Sequence, residues 1–479
     1  MTPPLVIPYG NADWVAILPT ITVGVTALVV LIADLGLPRK MRRLSGILIA
    51  IAGLALAGVY ALAGWHHPFA AFGGAFVNGG FAIVFEEIVV VAAIFSLLMA
   101  ARLGRDDQAG AGIALMLWSA TGAMLMAGAA NLLTIFLGLE LLSLALYCLC
   151  ALGSWPSSRE SALKYFILSS TATAFMLYGM ALLFGATGSV ALAAFAGPHA
   201  STPLFDLGCG LFLIGLCFKL SLVPFHVWTP DVYQGAPLPV TAFMSVVTKA
   251  GVLAVLARFA YAALPAPQAH QILLPLWVVA ALSMIVGNVA ALTQFDMKRL
   301  LAYSGIAQVG YIVAAFAGQT ALGLRYAIFY LAAYTFMNLG AFAVVALMTK
   351  DPDGSVEIGR FAGLAYRRPW LAAAMTFFLL SLAGLPPTAG FTGKILILAS
   401  SVGAGYWWLS VLLIVGTAIS VYVYFKIVRV MFVRVDEAHV RDERSTNPLP
   451  WISVGVCAAA VFVFGIYPFA PSDVLPLVK

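Results

Sequence analysis

Charge is what this sequence has least of. Only 9% of its 479 residues are Asp, Glu, Lys or Arg, whereas 63% are hydrophobic. A soluble domain carries roughly 25% charged residues, so this chain cannot surround its core with a solvated shell. The length would suit roughly three soluble domains, but apolar segments fill the chain from end to end. We therefore interpret it as one membrane domain.

Motifs that hold metals, nucleotides or redox groups are also missing. The five cysteines include Cys148 and Cys150 but no metal-binding CxxC pair, and the six histidines show no HExxH spacing. No P-loop is present, and no dinucleotide-binding glycine fingerprint follows a strand. No block of basic residues interleaved with aromatics suggests a nucleic-acid partner. We expect neither a metal nor a cofactor on this chain.

Apolar segments long enough to cross a bilayer are what the sequence has instead. A hydrocarbon core of about 30 Å needs about 20 apolar residues in a helix. The segments do not alternate between apolar and polar residues, as the strands of a membrane β-barrel would. The first residues lack a basic region, so we expect no cleavable signal peptide. The sequence predicts an all-α membrane protein of about fourteen transmembrane helices. The predicted spans are 13–34, 44–64, 81–101, 111–129, 131–152, 162–187, 204–224, 237–261, 271–292, 299–317, 322–348, 369–401, 406–430 and 449–468.

The basic residues predict the orientation. If the N-terminus lies outside, fourteen spans leave sixteen Lys and Arg residues in the inside loops and three at the outside ends. This asymmetry is the positive-inside rule and predicts that the N-terminus lies on the outer side of the membrane. The inside residues are Arg39, Lys40, Arg42, Arg43, Arg102, Arg105, Arg159, Lys298, Arg299, Lys350, Arg360, Arg367, Arg368, Arg434, Arg441 and Arg444, and the outside ones are Arg258, Arg325 and Lys479.

An internal repeat predicts the architecture. Residues 162–179 match residues 323–340 at a constant offset, with Tyr165 opposite Tyr326 among other pairs. The seventh and twelfth helices are both interrupted by proline, at Pro224 and at Pro386–Pro387. Five helices separate the two copies, so they must run in opposite directions. Paired broken helices in an inverted repeat indicate a transport site. The predicted units are an N-terminal three-helix segment (1–110), two five-helix repeats (111–261 and 271–434) and a C-terminal helix (445–479).

Four ionisable residues fall well inside predicted spans: Glu140, Lys219, Lys249 and Lys394. Each costs roughly 2.5–3.5 kcal/mol at the centre of a bilayer, and such residues are functional by default. We take Glu140 as the only mid-membrane carboxylate. A lysine that gains or loses a carboxylate partner can take up or release a proton, so lysines in series predict a proton relay. The alternative is a static ion pair between Glu140 and a lysine that holds helices together.

His226 follows the break in the seventh helix, in the segment 223–231. An imidazole there can transfer protons between Lys219 and Lys249, because it titrates near neutral pH. It can equally be a helix-end histidine bonded to backbone carbonyls that the break leaves free. The sequence leaves both interpretations open.

These residues resemble the subunit N family of the proton-pumping NADH–quinone oxidoreductase, respiratory complex I. The resemblance covers about residues 115–432. Its most specific stretch surrounds His226, and the segment 162–169 favours subunit N over subunit M. The matching segments are 137–143, 162–169, 218–237, 298–304 and 382–394.

The resemblance implies a role for each residue. Glu140 and Lys219 would form a switching pair, Lys249 the central relay and Lys394 the exit-side lysine, and Lys164 matches a further family lysine near the inner end of the sixth helix. NADH, FMN, iron–sulfur clusters and quinone would be bound by partner subunits. The partners would be antiporter-like and small membrane subunits of complex I, within the lipid bilayer.

Two other functions stay open at this point. One is an antiporter-like subunit of a multi-subunit Na⁺/H⁺ antiporter or of a membrane-bound hydrogenase, which share this fold. The other is a non-transporting membrane scaffold whose buried charges only hold neighbouring helices.

Overall fold

The computed structural model describes residues 10–65, 67–100, 108–196, 202–264, 266–349, 354–434 and 448–468. Within these ranges the chain is predominantly α-helical. The predicted orientation used Arg102, Arg105, Lys350, Arg441, Arg444 and Lys479, which lie outside the described residues. The helices are α1 (Asn11–Ala16), α2 (Leu18–Gly36), α3 (Arg39–Ala63), α4 (Gly80–Met99), α5 (Ala109–Gly128), α6 (Leu132–Ala151), α7 (Pro156–Thr187), α8 (Pro203–Leu220), α9 (Trp228–Gly235), α10 (Leu238–Arg258), α11 (Ala266–Ala291), α12 (Met297–Ala314), α13 (Ala321–Met348), α14 (Leu364–Arg367), α15 (Pro369–Ala383), α16 (Ala389–Gly403), α17 (Trp407–Phe432) and α18 (Leu449–Ile466).

Twelve of the described helical segments are long and apolar enough to cross a membrane. The shorter apolar helices α15 and α16 and the more polar α12 stand where the sequence predicts two further crossings. The all-α membrane fold is thereby confirmed. The number fourteen, the inverted repeat and the four predicted units stay predictions.

Both predicted helix breaks are present. Helix α8 ends at Ser221, whose φ of 63° is left-handed, and α9 starts seven residues later at Trp228. Helix α15 ends at Gly384, with a φ of 86°, and α16 starts at Ala389. A left-handed residue ends a helix by turning the chain out of it. The breaks expose backbone carbonyls at the ends of α8 and α15 that other groups must satisfy.

Helix α10 forms the centre of the bundle. Its span is buried along its whole length, whereas the spans of α2, α3, α17 and α18 are mostly exposed. It packs against α4, α5, α6, α8, α12 and α13. A helix that is apolar on every side and surrounded by others lies at the core of a membrane bundle. Lys249, on α10, therefore lies far from lipid.

A two-stranded hairpin closes one end of the bundle. Strands β1 (Phe69–Ala71) and β2 (Phe76–Asn78) pair antiparallel, with Phe69 opposite Asn78. Phe76 also pairs with Ala129, directly after α5. The sequence analysis predicted neither this hairpin nor the short helices α1, α9 and α14, because each is too short to give a periodic pattern.

Candidate functional site

Lys219 lies in the last turn of α8, and three hydroxyl groups surround its ammonium. Only 2% of the residue is exposed. Its Nζ donates hydrogen bonds to Ser143 Oγ at 2.7 Å and Ser169 Oγ at 2.6 Å, and a longer one to Tyr165 Oη at 3.5 Å. Ser143 belongs to α6, and Tyr165 and Ser169 belong to α7. An ammonium has three donors, and here each one has an acceptor.

Glu140 lies one helical turn from this ammonium and not in contact with it. Thr173 Oγ1 donates a hydrogen bond of 3.1 Å to Glu140 Oε1. Glu140 precedes Ser143 by three residues on α6, and Thr173 follows Ser169 by four on α7. Residues so spaced are neighbours on a helix surface. Adjacent turns of α6 and α7 thus hold the carboxylate and the ammonium near each other with hydroxyls between them. Within the described residues no ion pair joins Glu140 to Lys219.

Lys249 is held from the broken end of α8. Its Nζ donates to Ser221 Oγ at 3.2 Å and to Tyr233 Oη at 3.1 Å. Ser221 is the left-handed residue that ends α8, and its hydroxyl also accepts a hydrogen bond of 2.7 Å from Thr229. The break in the helix therefore supplies a hydroxyl that points at the central lysine. Non-glycine residues with positive φ are uncommon and concentrate at functional sites.

Two stacked aromatic rings separate the two lysines. The rings of Tyr165 and Trp228 lie 4.6 Å apart and are nearly parallel. The ammonium of Lys219 lies 5.0 Å from the Tyr165 ring, and that of Lys249 lies 5.6 Å from the Trp228 ring. Trp228 is fixed by its indole N–H, which donates to the Phe218 carbonyl near the end of α8. Each cation gains from the π-face that it meets.

Lys394 caps the other broken helix. Its Nζ donates to the carbonyl oxygens of Leu382 and Ala383, both at 3.0 Å, at the end of α15. Cations are stabilised at a helix C-terminus, where carbonyls lack partners and the macrodipole is negative. A Cβ at Gly384 would lie 2.8 Å from Cδ of Lys394. Glycine at 384 is thus required both for its positive φ and for this close approach.

Polar and aromatic side chains of α12 and α13 lie around Lys394 and the end of α15. Gln308 Nε2 donates to the Leu382 carbonyl at 3.0 Å, and Tyr330 donates to Gln308 Oε1 in a short hydrogen bond. The Tyr311 ring lies 4.9 Å from the Lys394 ammonium. The sequence analysis did not single out Tyr330, since in sequence it looks like any aromatic residue of a buried helix.

The structure brings Lys219 and Lys249 close to the same helix end, but it does not place His226 between them. Among the described residues no hydrogen bond joins His226 to either lysine. Its ring lies 6.5 Å from that of Tyr303 on α12. The bridging role of His226 stays a prediction.

Lys164 lies outside the buried line, in an exposed ion cluster. Its Nζ lies 2.8 Å from Glu160 Oε1 and 3.3 Å from Asp231 Oδ2, and Arg299 also pairs with Asp231. Glu160, Lys164 and Asp231 border an open cleft of about 290 Å³ at the end of the bundle opposite the hairpin. Partial burial raises the pKa of Asp231, but the hydrogen bonds and charges of Arg299 and Lys164 outweigh it and hold that pKa below its ordinary value.

Asp231→Asn is expected to lower the stability of the purified subunit by about 1 kcal/mol, because it removes two partly exposed ion pairs. The lowered pKa means that this contribution is present above pH ~4 and is lost as the pH falls through that pKa. Thermal unfolding in detergent at pH 7 and at pH 3 measures it. Glu160→Gln, which removes one exposed contact, should have a smaller effect. Equal stability of Asp231→Asn and the unmodified chain at pH 7 would contradict this assignment.

Two acids inside a membrane-spanning helix were missed. Helix α4 carries Glu86, with 1% exposure, and Glu87 beside it. The sequence analysis did not single out these two adjacent acids, and the role of Glu140 as the mid-membrane carboxylate stays a prediction. Within the described ranges no three His, Cys, Asp or Glu side chains are grouped as metal ligands. The expectation of a chain without cofactors stays a prediction.

Similarity to known proteins shows the family of this chain. A family described as the transmembrane part of NADH:quinone oxidoreductase and Mrp antiporter subunits matches residues 129–420. NADH-quinone oxidoreductase subunit N 1 of Symbiobacterium thermophilum is 38% identical over 474 residues, which cover 95% of this chain and 96% of that protein. Subunit N of Trichlorobacter lovleyi is 40% identical over 462 residues, with 94% of both chains covered.

Solved structures separate the family from proteins that share only its fold. A chain of respiratory complex I from Thermus thermophilus with bound aureothin is 37% identical, with a TM-score of 0.81 and coverage of 96% of this chain and 98% of that one. A chain of the Mrp complex from Dietzia sp. has a TM-score of 0.84 over 97% and 96% of the chains but only 20% identity, which shows the fold alone. The chain therefore belongs to the NADH-quinone oxidoreductase subunit N family, the multi-pass, proton-translocating membrane subunits of bacterial respiratory complex I.

Proposed function

We propose that protons cross this subunit through Glu140, Lys219, Lys249 and Lys394. The observation that carries the proposal is that, in the described part of the chain, none of the three lysines has a carboxylate within ion-pair distance. Serine and tyrosine hydroxyls, backbone carbonyls and aromatic rings surround them instead. A static ion pair that holds helices would leave no such unpaired cations, because a buried charge is stable only when it is paired.

The hydroxyl groups suit proton movement. A hydroxyl both donates and accepts hydrogen bonds, so Ser143 and Ser169 can bond Lys219 in either of its protonation states. Glu140 stabilises the charged state from one turn away, and the loss of its charge favours release of the proton. The two residues then form the switching pair that the family resemblance implies.

Lys249 is proposed to receive the proton on α10, and Lys394 to release it from the second broken helix. The hydroxyl of Ser221 leads from the end of α8 to Lys249. His226, which bonds neither lysine directly within the described residues, is proposed to transfer protons between Lys219 and Lys249. Lys164 is proposed to lie where protons leave water, since it borders the open cleft beside Asp231. The short helix α9 carries both Asp231 and Tyr233, and Tyr233 accepts a hydrogen bond from Lys249.

The face around Glu140 supports a membrane partner. Leu133, Leu137 and Leu144 form an exposed stripe on α6, and Glu140 lies along it. A carboxylate is costly against lipid, so we propose that another complex I subunit covers this face. Small membrane subunits and antiporter-like subunits are the proposed neighbours. NADH, FMN, iron–sulfur clusters and quinone are proposed to bind on partner subunits, and the N-terminus is proposed to lie in the periplasm of the inner membrane.

Extraction of native membranes in mild detergent, followed by sizing and identification of co-migrating chains, tests this assignment. We expect a large particle that oxidises NADH, reduces quinone and, in sealed vesicles, acidifies one side. A particle without NADH dehydrogenase activity but with other antiporter-like subunits would contradict the assignment. In that case the buried residues would still form an ion path, but a reaction other than NADH oxidation would drive it.

A further inference from the structure

Glu86 is a second acidic side chain inside the membrane, on a helix that carries none of the proposed relay residues. It is the seventh residue of α4, which places it about 9 Å from the start of that helix. The residue is 1% exposed. Neither of its carboxyl oxygens has a hydrogen-bond partner. Buried polar groups without partners are rare, and each needs an explanation.

The helices packed against α4 are α3, α5, α10, α13 and α18, and none supplies Glu86 with a partner. The described residues form no hydrogen bond or ion pair with it, and α5 carries no ionisable residue at all. The ionisable residues of the other four helices are the basic residues of 39–43 and Tyr60 on α3, Lys249 and Arg258 on α10, Arg325, Tyr326, Tyr330 and Tyr334 on α13, and Cys457 on α18.

The group next to Glu86 is a second acid. Glu87 is partly buried, and its carboxyl group lies against the backbone of α3 at Gly58. A Cβ at Gly58 would lie 3.2 Å from both oxygens of Glu87. Glu87 Oε1 is also buried without a hydrogen-bond partner. Two neighbouring acids with no cation between them disfavour ionisation of both.

An ionised Glu86 would be incompatible with these surroundings. A buried, unpaired carboxylate costs several kcal/mol even after relaxation and water penetration, whereas a neutral carboxylic acid costs only as much as another polar group. We propose that Glu86 binds a proton permanently and is a neutral carboxylic acid. As such, it is a site of covalent modification by apolar carbodiimides.

The reaction needs both the acid proton of Glu86 and the exclusion of water from its carboxyl group. The acid proton moves to one nitrogen of the carbodiimide, and the carboxyl oxygen adds to its central carbon, giving an O-acylisourea. The acyl group then shifts from oxygen to nitrogen and leaves a stable N-acylurea. No leaving group departs, so the side chain gains the full mass of the reagent. An ionised carboxylate lacks the proton, and a group exposed to water loses the O-acylisourea to hydrolysis.

The test treats the intact complex with N,N′-dicyclohexylcarbodiimide and maps adducts by mass spectrometry. We expect an adduct on Glu86, none with a water-soluble carbodiimide, and none at this position in Glu86→Gln. Glu87→Gln is the matched control and should keep the Glu86 adduct. Infrared spectroscopy provides a second readout, because the C=O stretch of a protonated carboxylic acid should disappear in Glu86→Gln. Absence of both the adduct and the infrared band would overturn the proposal.

A proton-pumping assay distinguishes Glu86 from the residues of the proposed relay. Glu86→Gln replaces a neutral acid by a neutral amide of the same shape, so pumping should stay within about twofold of the unmodified complex. A loss as large as that of a relay variant would show that Glu86 works as an ionised group and would overturn the proposal. Only this readout rests on the proposed function. The adduct and the infrared band would stand even if that function were wrong.

Discussion

Lys219→Ala is expected to lower proton pumping through this subunit by about 10²-fold or more, the usual contribution of a positioned proton-transfer group. The complex should still assemble. The substitution removes a buried charge, and the hydroxyls that it leaves behind cost about 1–3 kcal/mol. Pumping and NADH oxidation are measured together in sealed vesicles, with assembly checked by native sizing. Pumping at the unmodified level would exclude Lys219 from the proton path.

Lys219→Arg distinguishes a relay from a structural cation. Arginine keeps the positive charge and the donors for Ser143 and Ser169, but it does not release its proton in proteins. A relay therefore predicts that Lys219→Arg pumps as poorly as Lys219→Ala. If Lys219 is only a structural cation, Lys219→Arg should pump at nearly the unmodified level. Lys426→Ala is the matched control, since Lys426 is a partly buried lysine on α17 that donates to the Leu292 carbonyl and lies outside the proposed path.

Much of the fold was predictable because a membrane imposes its own pattern. Long apolar runs gave the helices, and proline gave both breaks near Pro224 and Pro386. The three lysines were predictable from depth alone, because a lysine at mid-span needs a functional reason. None of these inferences required knowledge of which helices touch.

What the sequence could not predict depends on tertiary contacts. The partner of Lys394 is the carbonyl end of a different helix segment, α15, and only the return of α16 against it creates that contact. The Tyr165–Trp228 stack joins residues of α7 and α9 that no spacing rule connects. For Glu86 a signal existed, since two acids interrupt the apolar run of α4. Which of the two faces inward was not readable without the packing.

The two broken helices satisfy their free ends in different ways. At the end of α8 the backbone N–H of Ser221 and the indole N–H of Trp228 both donate to the Phe218 carbonyl, and Lys219 donates to hydroxyls instead. At the end of α15 the ammonium of Lys394 itself takes up the carbonyls. Loss of the proton from Lys394 weakens both of those hydrogen bonds, whereas the end of α8 does not depend on the charge of Lys219. We therefore expect protonation to affect the local structure of the second break more than that of the first.

Glu140→Gln is expected to lower proton pumping by about tenfold to 100-fold, because it removes one charge interaction with Lys219. An opposite charge near an ammonium favours its charged state, and each loss of about 1.4 kcal/mol of such an interaction in the transition state is a tenfold loss of rate. Glutamine removes that charge but retains an oxygen that accepts the hydrogen bond from Thr173. Assembly should therefore be unchanged, and the loss should appear in proton flux and not in subunit content.

Glu160→Gln is the control for Glu140→Gln, because Glu160 is an exposed glutamate on the adjacent helix α7 that also pairs with a lysine. It should pump normally, since exposed pairs contribute at most about 1 kcal/mol. Adding Lys219→Ala to Glu140→Gln should cause little further loss if the two residues act as one switching pair, because effects of groups that work as a unit are not additive. Losses that multiply in the double variant would mean that Glu140 and Lys219 act in separate steps.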